Sequence, residues 1–156
     1  MNIRQATPTD SLVLSSLCKD VQSLHAEHHP DIFKVPESES FATSFFDEAL
    51  ADLTTRIFIA ENEERALGYI LCKLVERGES PFTYARRFLM IDQISVRPAA
   101  RGQSIGASLI QQAEEFAKEL GVPRIQLDSW DFNVRAHAFF EKEGFQKFMF
   151  RFWRAL

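Results

Sequence analysis

The stretch that most restricts the fold runs from Arg86 to Trp130. Within it, "RRFLMIDQISV" reads as a strand ending near Val96 and "RIQLDSW" as a second strand over about 124–130. Between them, Leu109, Ala113, Phe116, Ala117 and Leu120 recur at the spacing of one helical face, while Gln111, Gln112, Glu114, Glu115, Lys118 and Glu119 fall mostly on the other. Gly121 stands where such a helix stops, with Pro123 beyond it. Strands joined through a helical crossover run parallel, because a short turn can reverse a chain but cannot return it to the same end of a sheet.

The rest of the chain adds antiparallel elements. "MNIRQA" reads as a first strand, and Thr7-Pro8-Thr9-Asp10 as a turn with helix-capping residues. Leu14, Leu17, Val21 and Leu24 predict a helix over about 10–27, stopped by Pro30. A second helix carries Phe41, Phe45, Phe46, Ala49 and Leu50, with Ser38 or Ser40 as its expected cap. "TTRIFIAE" and "ALGYILCKLVE" are β-branched and aromatic runs that form a hairpin about Asn62–Arg65. "RGESPFTYA" is a loop. Asn133 caps a helix through about Lys142, Gly144 ends it, and "FQKFMFRFWRAL" supplies one or two closing strands. The sum is an α/β or α+β chain with a mixed sheet, expected to form a single domain over 1–156.

Composition sets further bounds. The formal net charge of -4 argues against nucleic acid as a general partner, and no apolar run nears the roughly 20 residues that cross a bilayer. The first residues lack an apolar signal core, and Cys18 and Cys72 have no metal-ligand spacing, so the expected setting is cytoplasmic.

Chemistry concentrates at "RPAARGQSIGASLIQQAEEF", which holds two of the 6 glycines, Gly102 and Gly106, with Arg97 and Arg101 beside them. The first turn of the following helix offers unpaired N–H groups and partial positive charge, and glycines let backbone approach a bulky anion. The plain alternative is a turn whose glycines serve geometry alone. The Gly-Lys-Ser/Thr ending of a nucleotide P-loop is missing, which points to some other phosphorylated ligand.

These residues resemble the acetyl-coenzyme A loop and helix of the GNAT superfamily of N-acetyltransferases. The family pattern Arg/Gln-x-x-Gly-x-Gly/Ala is met by Arg101-Gly102-Gln103-Ser104-Ile105-Gly106, with Ser104 in place of glycine. "DSWDFNVRAHAFFEKEGF" is similar to a later family motif through Asn133, Ala136, Phe139, Glu141, Gly144 and Phe145, with Phe140 where tyrosine is usual. The resemblance spans essentially the whole chain. It implies a GNAT fold with four helices and a mixed, mostly antiparallel sheet of six to seven strands containing a splayed parallel pair. It further implies acetyl transfer from acetyl-CoA, the cosubstrate, directly to a primary amine, without a metal.

Residue roles follow from the same resemblance. Backbone groups of Ile94 and Val96 would hold the pantetheine arm, and the N–H groups from Arg101 through Gly102, Gln103, Ser104, Ile105, Gly106 and Ala107 the pyrophosphate. Asn133 and Phe140 would border the cofactor, and the Ile94 N–H would face the developing oxyanion. Asp92, assigned by regular alternation to the face of Met90, Ile94 and Val96, is the candidate base or relay, with ammonium anchoring and a structural hydrogen bond as its other roles. Ser104 can offer its hydroxyl as a helix cap, but as a non-glycine residue it is expected to avoid glycine-only backbone conformations. Phe140 has no proton for the departing thiolate, so water, Ser129 or Tyr84 would supply it, or else the chain is an acyl-CoA-binding sensor without catalysis. His25, His28, Phe33, Tyr84 and Trp130 are the candidate acceptor-pocket residues. A metal is not expected at the histidines, because His28 and His29 are adjacent and Pro30 breaks the helix. The aromatic C-terminal segment could pair across a homodimer.

Overall fold

A computed structural model describes residues 1–156. Strand β1 (Asn2–Gln5) leads into helices α1 (Ser11–His28) and α2 (Thr43–Ala51). Strands β2 (Thr55–Glu61), β3 (Ala66–Arg77) and β4 (Arg86–Val96) follow, then α3 (Ile105–Glu119), β5 (Ile125–Leu127) and α4 (Val134–Lys142). The sheet order is β1-β2-β3-β4-β5, antiparallel throughout except between β4 and β5. Four helices on a mixed, mostly antiparallel sheet agree with the expected fold. The strand count does not: the sheet has five strands, not six to seven. Residues 146–156 make no backbone hydrogen bond within the chain, so the closing strands read from their sequence have no partner here.

Period-two alternation assigns each side of the sheet its helices. Phe58, Ala60, Ile70, Cys72, Leu89 and Ile91 pack under Leu109, Ile110, Ala113, Phe116 and Ala117 of α3. On the opposite face, Ile57, Ile59, Tyr69 and Leu71 pack against Leu14, Leu17 and Cys18 of α1 and Phe46 of α2. The β2–β3 turn is held by the Asn62 side-chain oxygen, which accepts from the Glu64 and Arg65 N–H groups at 3.1 and 2.9 Å. Neither predicted serine caps α2: its N-cap residue is Ala42, whose N–H donates to Ser15 Oγ on α1 at 3.0 Å.

The entry to α1 is a charged clamp. Asp10 is buried, accepts from the Thr7 N–H at 2.7 Å, and pairs with the Arg4 guanidinium at 2.8 Å. Arg4 first, and Thr7 with it, hold the Asp10 carboxyl at about 2, below its ordinary 3.8. A carboxyl whose folded pKa is depressed stabilises the fold above its unfolded value and stops doing so as pH falls through the folded one. Asp10→Asn is therefore expected to cost about 2 kcal/mol at neutral pH in denaturant unfolding. The wild-type advantage should fade as pH drops from near 4 to near 2.

Candidate active site

Strands β4 and β5 form a fork. They pair at Leu89↔Ile125, Met90↔Gln126 and Ile91↔Leu127 only, after which β4 continues to Val96 while the chain beyond Leu127 leaves the sheet. The edge of β4 past Ile91 thus lacks a neighbouring strand. A bulge sits at the fork: Leu71 faces Gln93 and Cys72 faces Ile91, so Asp92 has no partner on β3.

That extra residue resets the alternation. Before it, the Leu89 N–H donates to Arg124 C=O at 2.9 Å, toward β5. After it, the Arg97 N–H donates to Leu67 C=O at 2.8 Å, toward β3. Alternation back from Arg97 turns residues 95 and 93 to β3, and Val96 and Ile94 to the open edge. Side chains shift in the same way. Ile94 and Val96 join Leu89 and Ile91 against the α3-side core, so Asp92 and Met90 do not share one regular face with them. Regular alternation is overturned here by the bulge.

The bulge is fixed from the opposite face. The Tyr69 hydroxyl donates to Gln93 Oε1 at 2.6 Å, and Cys18 Sγ lies 3.9 Å from the same oxygen. Burial pushes the Tyr69 hydroxyl well above the usual phenol range, with Cys18 and the nearby Asp92 charge adding to the effect, so it stays a donor. Asp92 itself is exposed and has no hydrogen-bond or ion-pair partner.

At the far end of the open edge, Arg97 locks β4 in place. Its Nε donates to Ala66 C=O at 3.1 Å and its Nη2 to Ser16 Oγ at 3.0 Å. Arg101 folds back and donates from Nε to Val96 C=O at 3.1 Å, one of the groups on the open edge. The loop then delivers α3, whose first internal bond runs from the Ser108 N–H to Ser104 C=O at 3.0 Å. The N–H groups of Ile105, Gly106 and Ala107 precede that bond and have no helical acceptor. Gly102, with φ 81°, has open space where a side chain would begin.

Gly106 serves packing as well as approach. A Cβ there would lie 2.9 Å from the ring of Phe139, so the bare backbone lets α4 settle against the start of α3.

Ser104 departs from expectation twice. It takes the left-handed conformation, φ 61° and ψ 11°, and it is the one non-glycine residue in the chain with positive φ. Its hydroxyl makes no capping bond. The loop geometry wins over the residue's preference, at a cost of about 1 kcal/mol. Ser104→Gly is accordingly expected to raise the thermal midpoint by a few degrees, corresponding to about 1 kcal/mol. A lower midpoint would mean that the serine makes a contact outweighing that strain.

A cluster of aromatic rings forms between the end of α1 and the segment after β5. His25 stacks on Phe33 at 4.8 Å between centroids, Phe33 meets Trp130 edge-on at 5.1 Å, and His28 stacks on Phe132 at 4.1 Å. The cluster joins the end of α1 to the segment that departs from β5, and His137 Nε2 supports it by bonding Trp130 C=O at 2.9 Å. Burial lowers the His25 pKa below its usual value, and neighbouring His28 and His29 add to this, so the neutral ring is favoured. Four of the five residues expected in the pocket, His25, His28, Phe33 and Trp130, thus come together. Tyr84 does not. It lies in the β3–β4 loop, lining a pocket with Arg86, Pro123 and Gln126, and makes no ring contact with the cluster. The sequence reading missed Phe132 as a partner, although its i, i+2 relation to Trp130 was visible.

The α4 motif is mainly structural in what it touches. Asn133 Oδ1 accepts from the Ala136 N–H at 3.3 Å, capping the helix as expected. Phe140 is buried between Phe139 and Phe145, with ring centroids at 5.3 and 5.8 Å.

Comparison with known proteins gives this geometry its context. Over a 66-residue stretch the chain is 38% identical to the aminoalkylphosphonate N-acetyltransferase of Salmonella typhimurium, which covers 42% of this chain and 43% of that protein. The chain thus spans under half the length of that relative. The tetramutant of the BH1408 protein from Bacillus halodurans superimposes with a TM-score of 0.94 at 26% identity, covering all of both chains. The aminoglycoside N-acetyltransferase AAC(6')-Iy, solved with CoA, has a TM-score of 0.77 over 99% of this chain and 93% of its own, at 17% identity that speaks to fold alone. A family model described as the acetyltransferase (GNAT) family matches residues 19–145, and the chain belongs to that family.

Proposed function

We propose that the chain transfers an acetyl group from acetyl-CoA to a primary amine in one direct step. The observation that carries this reading is the open edge of β4. Peptide groups of Ile94 and Val96 face a gap with no strand in it, and that gap leads to the free N–H groups of Ile105, Gly106 and Ala107. A pantetheine arm, with its two amides, fits such an edge as a strand would. A pyrophosphate fits the helix start, with Arg101, Gly102, Gln103 and Ser104 around it. The Asn133 amide N–H groups, left free by its capping role, would be available to the same ligand.

The acceptor enters between Asp92 and the ring cluster of His25, Phe33 and Trp130. An alkylamine with a pKa near 10.4 arrives as an ammonium and must lose a proton before it attacks. Asp92, exposed and unpaired at the fork, attracts the cation and takes its proton through water. The amine lone pair then attacks the thioester carbonyl carbon, and the Ile94 N–H holds the resulting oxyanion. Collapse breaks the C–S bond and the thiolate, whose conjugate acid has a pKa near 8.5, leaves; the second proton on the attacking nitrogen passes through water to that sulfur, giving the amide and the free thiol. No hydroxyl is needed at Phe140.

The test measures acetyl-CoA binding by calorimetry and thiol release with a panel of amines, including aminoalkylphosphonates, aminoglycosides, polyamines and lysine peptides. Release that depends on both acetyl-CoA and one amine class supports the reading. Binding with only background hydrolysis across the panel would replace it with the acyl-CoA sensor, and no binding would remove both.

A further inference from the structure

The end of the sheet away from the open edge carries an arginine cluster that the proposed reaction does not use. Arg77, at the end of β3, stands directly opposite Arg86, at the start of β4. Like charges placed directly opposite on paired strands repel. Neither has an ion pair or a side-chain hydrogen bond, and Arg124, just ahead of β5, has none either. The neighbouring pair, Glu76 and Arg87, is matched within itself by an ion pair of 2.7 Å. Arg77, Arg86 and Arg124 thus stay unmatched at the ends of three neighbouring strands, in a chain whose net charge is -4.

These side chains line a groove. Arg86, Arg87 and Arg124 border a hollow of about 390 Å³ with Thr83, Tyr84 and Gln126, and no carboxylate lines it. An adjoining hollow is lined by Arg77, Arg86 and Arg87, with Glu76 as its one acid. Arg86 and Arg87 belong to both, so the four arginines surround one continuous groove, of a size that suits a small ligand. A guanidinium fork matches phosphate oxygens in two parallel bonds, and several forks together call for more than one phosphate. Tyr84 is 89% exposed, which leaves a ring face free for a planar base. We infer that this groove binds an oligophosphate, either a free phosphate chain or the tail of a nucleotide. Arg77, Arg86 and Arg124 contact the anion, and Glu76 holds Arg87 beside them. Such an anion turns the repulsion between Arg77 and Arg86 into shared attraction, and it ties β5 to β4 next to their three-residue pairing. The groove is separate from the helix start at Ile105–Ala107, which follows the opposite end of β4. The inference is independent of which reaction the fork carries out.

Calorimetry of the full chain with tripolyphosphate and with ATP tests the site. Tripolyphosphate should bind saturably, with an affinity that falls as salt is raised, because the arginines are exposed. Arg86→Gln should weaken binding about 10-fold, and Arg86→Gln with Arg124→Gln about 100-fold, as charge-assisted contacts are lost. Arg65→Gln, an equal loss of charge at the β2–β3 turn, should leave it unchanged. All these side chains are exposed, so circular dichroism should match the parent in every variant. No saturable binding up to about 1 mM would overturn the inference. So would an equal loss in the Arg65→Gln chain, which would mean general attraction, or full binding in the double variant, which would place the anion elsewhere. Two results support the site and name the source. Equal affinity for tripolyphosphate and ATP, unaltered by Tyr84→Ala, makes the ligand a phosphate chain. Tighter binding of ATP that Tyr84→Ala abolishes makes it a nucleotide. A short single-stranded oligonucleotide bound more than about 10-fold tighter than ATP would assign the arginines to nucleic acid and overturn the small-ligand site.

Discussion

Asp92→Asn is expected to slow acetyl transfer about 100-fold at pH 7, the low end of what proton-transfer groups contribute. The change keeps size and shape, so the bulge at the fork should survive, and an unaltered circular dichroism spectrum checks that. The pH profile carries the mechanistic content. Near neutrality almost all of an alkylamine is protonated, and the variant has lost both the attraction for that cation and the route for its proton. As pH rises toward the amine's own pKa near 10.4 the substrate arrives neutral, so the variant should close most of the gap. A rise in KM with kcat and its pH dependence intact would reassign Asp92 to anchoring. An unchanged rate and profile would remove it from the site.

The prediction also marks what could be read in the residues and what could not. The strand, loop, helix and strand from Arg86 to Leu127 were legible because each step has a local cause: β-branched runs, a glycine-bearing turn, one apolar helical face, and Gly121 at its end. The α4 boundary was legible for the same reason, since Asn133 caps through a group three residues away. The bulge at Asp92 had no such mark. "RRFLMIDQISV" holds neither glycine nor proline, and its four apolar residues from Phe88 to Ile91, followed by Asp92 and Gln93, fix no phase of alternation. The break comes from the pull of Gln93 toward Tyr69 and Cys18, which stand 24 and 75 positions earlier in sequence. A pattern read along one strand cannot register partners on two other elements.

The acceptor side divides along the same line. His25, His28 and Phe33 lie on or just after α1, where helical spacing predicts their company, and the fold brings Trp130 to them. Tyr84 sits in a loop whose path no periodicity fixes, and it ends at the other end of β4. The C-terminal segment, read as one or two closing strands, forms none: the sheet stops at five strands, and residues 146–156 make no backbone hydrogen bond. Ser104 shows the converse: a serine was expected to avoid a glycine-like backbone, and the fold imposes a positive φ on it at a cost.

Gly68→Ala should be the most damaging single methyl in the chain. Gly68 lies on β3 directly opposite Val96, at the point where the open edge of β4 runs into the loop that leads to α3. A Cβ at that position would stand 2.6 Å from the Ser95 carbonyl oxygen and 3.2 Å from the Val96 Cα. Both are backbone atoms, so no side-chain rotation relieves the contact and β4 itself must move. Neighbouring bonds resist that movement: Ser95 Oγ donates to Leu17 C=O at 2.9 Å, and Arg97 holds both Ala66 and Ser16. Overpacking against such a framework costs about 3 kcal/mol, the upper end of the usual range, and should appear as a lower denaturant midpoint. A shift of even 1 Å in the Ile94–Val96 edge misplaces the cosubstrate, so kcat/KM for acetyl-CoA should fall about 100-fold under conditions where the variant is still folded. Gly78→Ala is the control, since a Cβ there meets nothing within 4 Å. A Gly68→Ala enzyme as stable and as active as the Gly78→Ala one would show that β4 is free to yield, and would remove the rigid edge on which cosubstrate positioning is argued.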